Sequence, residues 1–229
     1  MTRTQNPERV GFCSWSGGKD SCLALYKAQL EDEKARVPFL LNMAGTGDEQ
    51  KNRGPHGLKR EVFSVQADSM GRELIQVRTD WDSYERNFKE AVRKMKREEG
   101  VEFGVFGDSE LAEHREWVED TCAELEIEAR LPLWGQKPAE IYRDFLRAGF
   151  QALLVNLQAD LFSSKHLGRR LDGELLEFLK EQEIHLTGEG GEYHSLVVDG
   201  PLFRRRLRVT EAVKKETESR LQYDILELG

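Results

Sequence analysis

The stretch Val10-Gly-Phe-Cys-Ser-Trp-Ser-Gly-Gly-Lys-Asp-Ser-Cys22 constrains this chain more than any other. A short apolar run over 10–13 reads as a buried strand. It breaks at Ser16-Gly17-Gly18-Lys19-Asp20-Ser21 and resumes with helical spacing through Leu23, Tyr26 or Lys27, and Leu30. Strand, glycine turn and helix start in that order make an anion cradle. Glycine lets backbone amides approach a phosphate with no Cβ in the way. The first helical turn adds unpaired N–H groups and the positive end of the helix dipole. Ser14, Ser16, Gly17, Gly18, Lys19, Asp20 and Ser21 are therefore the candidate phosphate-binding set.

The loop is not a Walker A motif, which needs Ser or Thr directly after its lysine to hold the metal. Here Asp20 follows Lys19. A carboxylate beside a phosphate repels it unless a cation such as Mg²⁺ lies between them, which makes Asp20 the candidate metal ligand. Ser-Gly-Gly-Lys-Asp-Ser after a strand resembles the pyrophosphate loop (PP-loop) of the N-type ATP pyrophosphatases. That resemblance implies cleavage of ATP between the α- and β-phosphates, adenylation of an oxygen and release of pyrophosphate.

Strands are predicted over 37–43, 73–77, 101–106 and 127–130, with helices over 58–70, from Asp80 or Asp82 to Gly100, and over 112–125. Strand and helix alternate four times, which predicts an α/β fold with a doubly wound parallel sheet. Ligands of such sheets sit at the carboxyl ends of the strands. This rule gathers the PP-loop, Met43, His56 and Gly107-Asp108 at one edge. Met43 can cover an adenine, and Gly107 allows close approach. Asp108 can accept from a ribose or an amine, or can equally cap the next helix. His56 also reads as a solvated loop residue.

The alternation breaks at Leu131-Pro-Leu-Trp-Gly135, giving an expected ATP-binding domain over 1–131 and a smaller α/β substrate domain over 132–229. In the latter, a helix opens at Pro138, a strand runs over 151–158, a helix over 174–180 and a strand over 196–198. Between these last two lies Thr187-Gly-Glu-Gly-Gly-Glu-Tyr-His-Ser195. Its glycines allow a tight turn, on which Glu189, Glu192 and His194 are candidate catalytic groups; a hairpin turn with solvated acids is the plainer reading.

Composition narrows the partners. A net charge of −8 argues against a nucleic-acid surface and so against RNA-modifying relatives. Three cysteines with no C-x-x-C pair argue against a disulfide framework or zinc site, and Cys13, Cys22 and Cys122 read as packing. No apolar run suggests a membrane span, and the polar start predicts a cytoplasmic protein. Arg204-Arg205-Arg206 and Arg208 read as a solvated strand edge or a dock for an acidic partner or RNA.

The PP-loop, Gly107-Asp108 followed by His114-Arg115 and Trp117-Val118-Glu119, Pro132-Leu133-Trp134, and Gly-Glu-Gly-Gly-Glu-Tyr-His-Ser followed by Asp-Gly-Pro-Leu-Phe occur in order. Together, from about Val10 to Phe203, they resemble the diphthine–ammonia ligase family. The resemblance implies an amide-forming ligase using ATP, Mg²⁺ and free ammonia, with Lys19 facing the departing pyrophosphate. Glu189, Glu192 or His194 would then handle ammonium or orient the acceptor. The acceptor carboxylate would be diphthine on elongation factor 2, and a homodimer is compatible with this reading. One departure bears on the acceptor. Archaeal and eukaryotic ligases end the second loop in Glu-Phe-Glu-Thr, whereas Glu192-Tyr193-His194-Ser195 is closer to bacterial-type paralogues. The alternatives are a paralogue acting on a small-molecule carboxylate, a tRNA-modifying PP-loop enzyme and a nucleotide-binding sensor without turnover.

Overall fold

The computed structural model describes residues 8–45 and 58–229. Its first half contains β1 (Arg9–Ser14), α1 (Lys19–Glu31), β2 (Ala35–Gly45), α2 (Arg60–Met70), β3 (Glu73–Thr79), α3 (Tyr84–Glu99), β4 (Val101–Val105), α4 (Ala112–Glu124) and β5 (Glu128–Arg130). The five strands are parallel in the order β3-β2-β1-β4-β5. The chain therefore builds outward from β1 on one side and then returns to build on the other. That reversal places a crevice between the carboxyl ends of β1 and β4.

The period of two along a strand decides the layers. Phe12 faces one side of the sheet with Phe39, Leu41, Phe88, Val92 and Val118. Its neighbour Cys13 faces the other, with Leu40, Cys22, Leu25, Val62 and Phe63. Thus α3 and α4 cover one face and α1 and α2 the other. Gly100 ends α3 in the left-handed conformation, φ +68°, as its position predicts. Asp80 takes the amide of Ser83, the residue immediately before α3, at 2.8 Å.

The second half contains α5 (Pro138–Arg147), β6 (Gln151–Gln158), a 3-10 turn (Ser164–His166), α6 (Gly173–Glu181), β7 (Tyr193–Asp199), β8 (Val209–Glu216) and β9 (Arg220–Leu228). Its sheet is antiparallel in the order β7-β6-β9-β8. Beyond Phe203 the sequence suggests only a strand edge at the arginine run, so the β8–β9 hairpin is an addition. Its pattern is hard to read for a physical reason. β8 is an edge strand, exposed along most of its length and carrying Glu211, Lys214, Lys215 and Glu216. In β9 the buried Leu221, Asp224 and Ile225 do not alternate, and Asp224 pairs with Lys215 at 2.6 Å.

Three other expectations change. Leu30 is 63% exposed, because α1 lies between the parallel sheet and the second half and is buried through its first turns instead, by Cys22, Leu23, Ala24, Leu25 and Ala28. Arg204, Arg205 and Arg206 lie in the loop between β7 and β8 rather than on a strand, where the Arg204 amide bonds Ser69 O at 2.8 Å. Asp108 does not cap α4; Leu111 occupies that position with no side-chain cap.

One buried core runs through both halves, joining Cys22, Leu25 and Phe63 to Ile141, Phe145, Leu154 and Val197. At its rim Gln66, fully buried, ties the halves together. Its Nε2 donates to Gly17 O at 3.0 Å and Val197 O at 2.7 Å, and its Oε1 accepts from Trp15 Nε1 at 2.9 Å. Val197 N also donates to Gly17 O at 3.0 Å. Leaving such groups buried and unpaired costs about 1–3 kcal/mol each. Gln66→Ala should therefore lower unfolding stability by about 3 kcal/mol in urea denaturation. A loss below about 1 kcal/mol would mean that water replaces the amide.

Candidate active site

A cleft of about 620 Å³ opens at the carboxyl ends of the parallel strands, where the crevice between β1 and β4 lies. Its walls bring together Ser14, Ser16, Gly18, Lys19, Asp20, Ser21, Met43, Gly107, Asp108, Glu189 and His194. These candidates come from both halves of the chain. Gly17 and Glu192 are not in the lining. Gly17 faces Gln66 and Phe63 instead, and the Glu192 carboxylate lies beside Gly190. His56 lies outside the described residues.

The cradle has the form its sequence predicts. Gly18 is the N-cap of α1 and offers no side-chain acceptor, so the first-turn amides and the dipole face the cleft. Ser16 Oγ lies 3.2 Å from Ser21 Oγ and accepts from Gly18 N at 3.4 Å, while Ser21 Oγ donates to Gly18 O at 3.1 Å. Gly107 closes the opposite wall. A Cβ there would stand 2.9 Å from the Asp20 carbonyl carbon and 3.0 Å from Ser21 N, so only glycine permits this approach without a shift.

Lys19 is not a free point charge in this arrangement. Its buried Nζ donates to Asp20 Oδ2 at 2.8 Å and to Thr187 O, 5.1 Å from the Tyr193 ring centroid. Its amide donates to Ser195 Oγ at 3.2 Å. Burial raises the Asp20 carboxyl against the pull of Lys19, and Glu189 adds to the rise. No group of three or more His, Cys, Asp or Glu forms a metal cage among the described residues. One cleft carboxylate beside an anion cradle suits Mg²⁺, which keeps several waters and shares its ligands with substrate phosphates. The uncapped helix start and the hydroxyls suit the phosphates themselves.

Glu189 has a role its sequence does not announce. Gly188, at φ +68°, turns the chain so that the Glu189 carboxylate reaches the loop before α4. Ser109 Oγ donates to Oε2 at 2.8 Å, and the Ser109 and Glu110 amides each donate to Oε1 at 3.3 Å. Burial alone would raise this carboxyl, but hydrogen bonds from Ser109, Glu110 and Leu111 outweigh it and hold the group below its ordinary value. Beside it, Asp108 Oδ1 lies 3.2 Å from His114 Nδ1. Burial raises the Asp108 carboxyl, which His114 opposes and Glu189 reinforces.

Sequence reasoning missed Gln66, Ser109 and Trp81. Gln66 had a usable signal, since it stands on the inward face of α2 beside Val62, Phe63 and Met70, where a polar residue must have partners. Trp81, 88% exposed at the cleft edge and 5.9 Å from Tyr84, had none.

Strand, glycine turn and uncapped helix at the reversal of a parallel sheet define a PP-loop, ATP-binding protein of Rossmann-like fold. The chain belongs to the diphthamide synthase family: the model of the Diphthamide synthase N-terminal domain matches residues 11–129, and that of the C-terminal domain matches residues 137–227. It is 28% identical to diphthine–ammonia ligase of Rattus norvegicus over 86% of this chain and 82% of that protein. For the ligase of Homo sapiens the figures are 28%, 85% and 80%, and for that of Danio rerio 27%, 86% and 86%. Among solved structures, a predicted subunit of tRNA methyltransferase from Methanocaldococcus jannaschii matches at 12% identity with a TM-score of 0.42, over 86% of this chain and 99% of that one. That likeness is too distant to bear on the reaction.

Because the folded protein holds Glu189 below its ordinary value, its stabilisation is present above the unfolded-state value and is lost as pH falls through the folded one. Glu189→Gln should therefore unfold at lower urea than the wild type at about pH 7, with the gap closing by about pH 3. A gap unchanged between those pH values would refute the carboxylate clasp.

Proposed function

We propose that this protein is an ATP-dependent ligase that converts a carboxylate to an amide. ATP lies with its phosphates on the cradle of residues 16–21. The acceptor carboxylate attacks the α-phosphorus, pyrophosphate leaves, and ammonia displaces AMP from the acyl-adenylate. The observation that carries this reading is the single cleft in which the PP-loop meets residues 187–195 of the second half. The relatives named diphthine–ammonia ligase support the same chemistry.

Catalysis here is mostly positioning and charge neutralisation. The α1 amides and the Ser16 and Ser21 hydroxyls bind phosphate oxygens. Lys19, already at the cradle floor, exchanges Thr187 O for the departing pyrophosphate. Asp20 would hold a Mg²⁺ bound with the nucleotide, and that ion would supply charge neutralisation between the phosphates and the cleft carboxylates. Met43 and the buried Trp15 border the space for the base.

Diphthine on elongation factor 2 is the first acceptor to test. One observation favours a second reading, a small-molecule carboxylate: His194 stands in the cleft where archaeal and eukaryotic ligases carry an acid. No described helix is long and apolar enough to cross a membrane, and the net charge of −8 disfavours an RNA acceptor.

The test is pyrophosphate release from Mg·ATP and ammonium, with and without diphthine-bearing elongation factor 2. Release that requires the factor, with AMP formed in equal amount, is the expected outcome. Lys19→Met, which keeps the buried stem, should reduce it by about 100-fold or more. Release stimulated by a metabolite extract and not by the factor would select the small-molecule reading. ATP binding without release under any condition would refute the ligase.

A further inference from the structure

Amide formation needs the lone pair of ammonia, yet near neutral pH the nitrogen arrives almost wholly as ammonium. Some group beside the activated carbonyl must take a proton. The acids read from sequence are poorly placed to do so. Glu189 is occupied by the Ser109 hydroxyl and the loop amides, Glu192 lies outside the cleft, and Asp20 holds Lys19.

We propose that His114, backed by Asp108, is the general base that deprotonates ammonium. The inference rests on the ligase reading. His114 stands in the first turn of α4 and lines the cleft, with its side chain 55% exposed. Its Nδ1 faces Asp108 Oδ1 at 3.2 Å, and its Nε2 has no hydrogen-bond partner among the described residues. A carboxylate behind Nδ1 selects the tautomer with the proton on Nδ1, leaving the Nε2 lone pair open to the cleft, and it stabilises the imidazolium once formed. Asp108 is partly buried, its side chain 26% exposed, and His114 is its side-chain hydrogen-bond partner among the described residues.

Asp108 follows Gly107, whose backbone lies close against the Asp20–Ser21 backbone, so the pair adjoins the phosphate cradle. The step balances as follows. Ammonium gives a proton to Nε2 and becomes ammonia, whose lone pair forms the C–N bond at the acyl carbon. The nitrogen then loses a second proton to solvent, and the electron pair of the breaking C–O bond leaves with AMP.

The test compares two nucleophiles on diphthine-bearing elongation factor 2. Hydroxylamine is already unprotonated near neutral pH and needs no base to expose its lone pair. His114→Gln should lower ammonium-dependent amide formation by about 100-fold or more, while hydroxamate formation falls by no more than about fivefold. Asp108→Asn should show the same selectivity in weaker form. Equal losses with both nucleophiles, or ammonium turnover within about threefold of wild type, would overturn the assignment. So would the selective loss appearing in His194→Gln instead. Absence of pyrophosphate release from the wild-type protein with the factor and with a metabolite extract alike would remove the ligase reading and this inference together, which separates that failure from the others.

Discussion

A buried amide must find partners for every donor and acceptor, and the cleft depends on how Gln66 meets that demand. One side chain bonds the PP-loop at Gly17 and Trp15 and the second sheet at Val197. The loop therefore takes its shape partly from a strand about 180 residues away in the chain. With Val197 N on Gly17 O and the Lys19 amide on Ser195 Oγ, three separate contacts hold the glycine turn against β7. A loop that would otherwise be free to sample many conformations is ordered before any nucleotide arrives, which reduces the ordering cost of binding.

Charge is the second constraint. Asp20, Asp108 and Glu189 share a cleft proposed to receive a polyphosphate. Unscreened, they would repel it. Each is handled differently: Asp20 by Lys19, Asp108 by His114, and Glu189 by a hydroxyl and backbone amides. Burial pushes the first two carboxyls up, and only the set of donors around Glu189 brings its carboxyl down. Glu189 is thereby a clasp between the halves, and the Asp108–His114 pair lies beside it.

Much of the first half was legible because its signals are local. Apolar runs of strand length, helical spacing and a left-handed glycine stop locate β1 through β5 to within about two residues, and the doubly wound reading carries the reversal of strand order. The second half was less so. β8 and β9 are an edge strand and its bulged neighbour, in which charge and irregular register erase the alternation that marks a strand. Leu30 misled because helical periodicity finds an apolar face but not where the covering layer ends.

By itself the sequence determined the cradle, since glycine turn, hydroxyls and helix start are consecutive and their geometry is set by the backbone. It also placed Glu189 and Glu192 on a glycine-rich turn, whereas His194, read as part of that turn, falls in β7, which starts at Tyr193 rather than at 196. Only the tertiary structure decided which of them faces the cleft. Residues on either side of such a turn point in different directions, and their assignment depends on what distant segments pack against it: here Ser109 before α4 and Thr187 over Lys19.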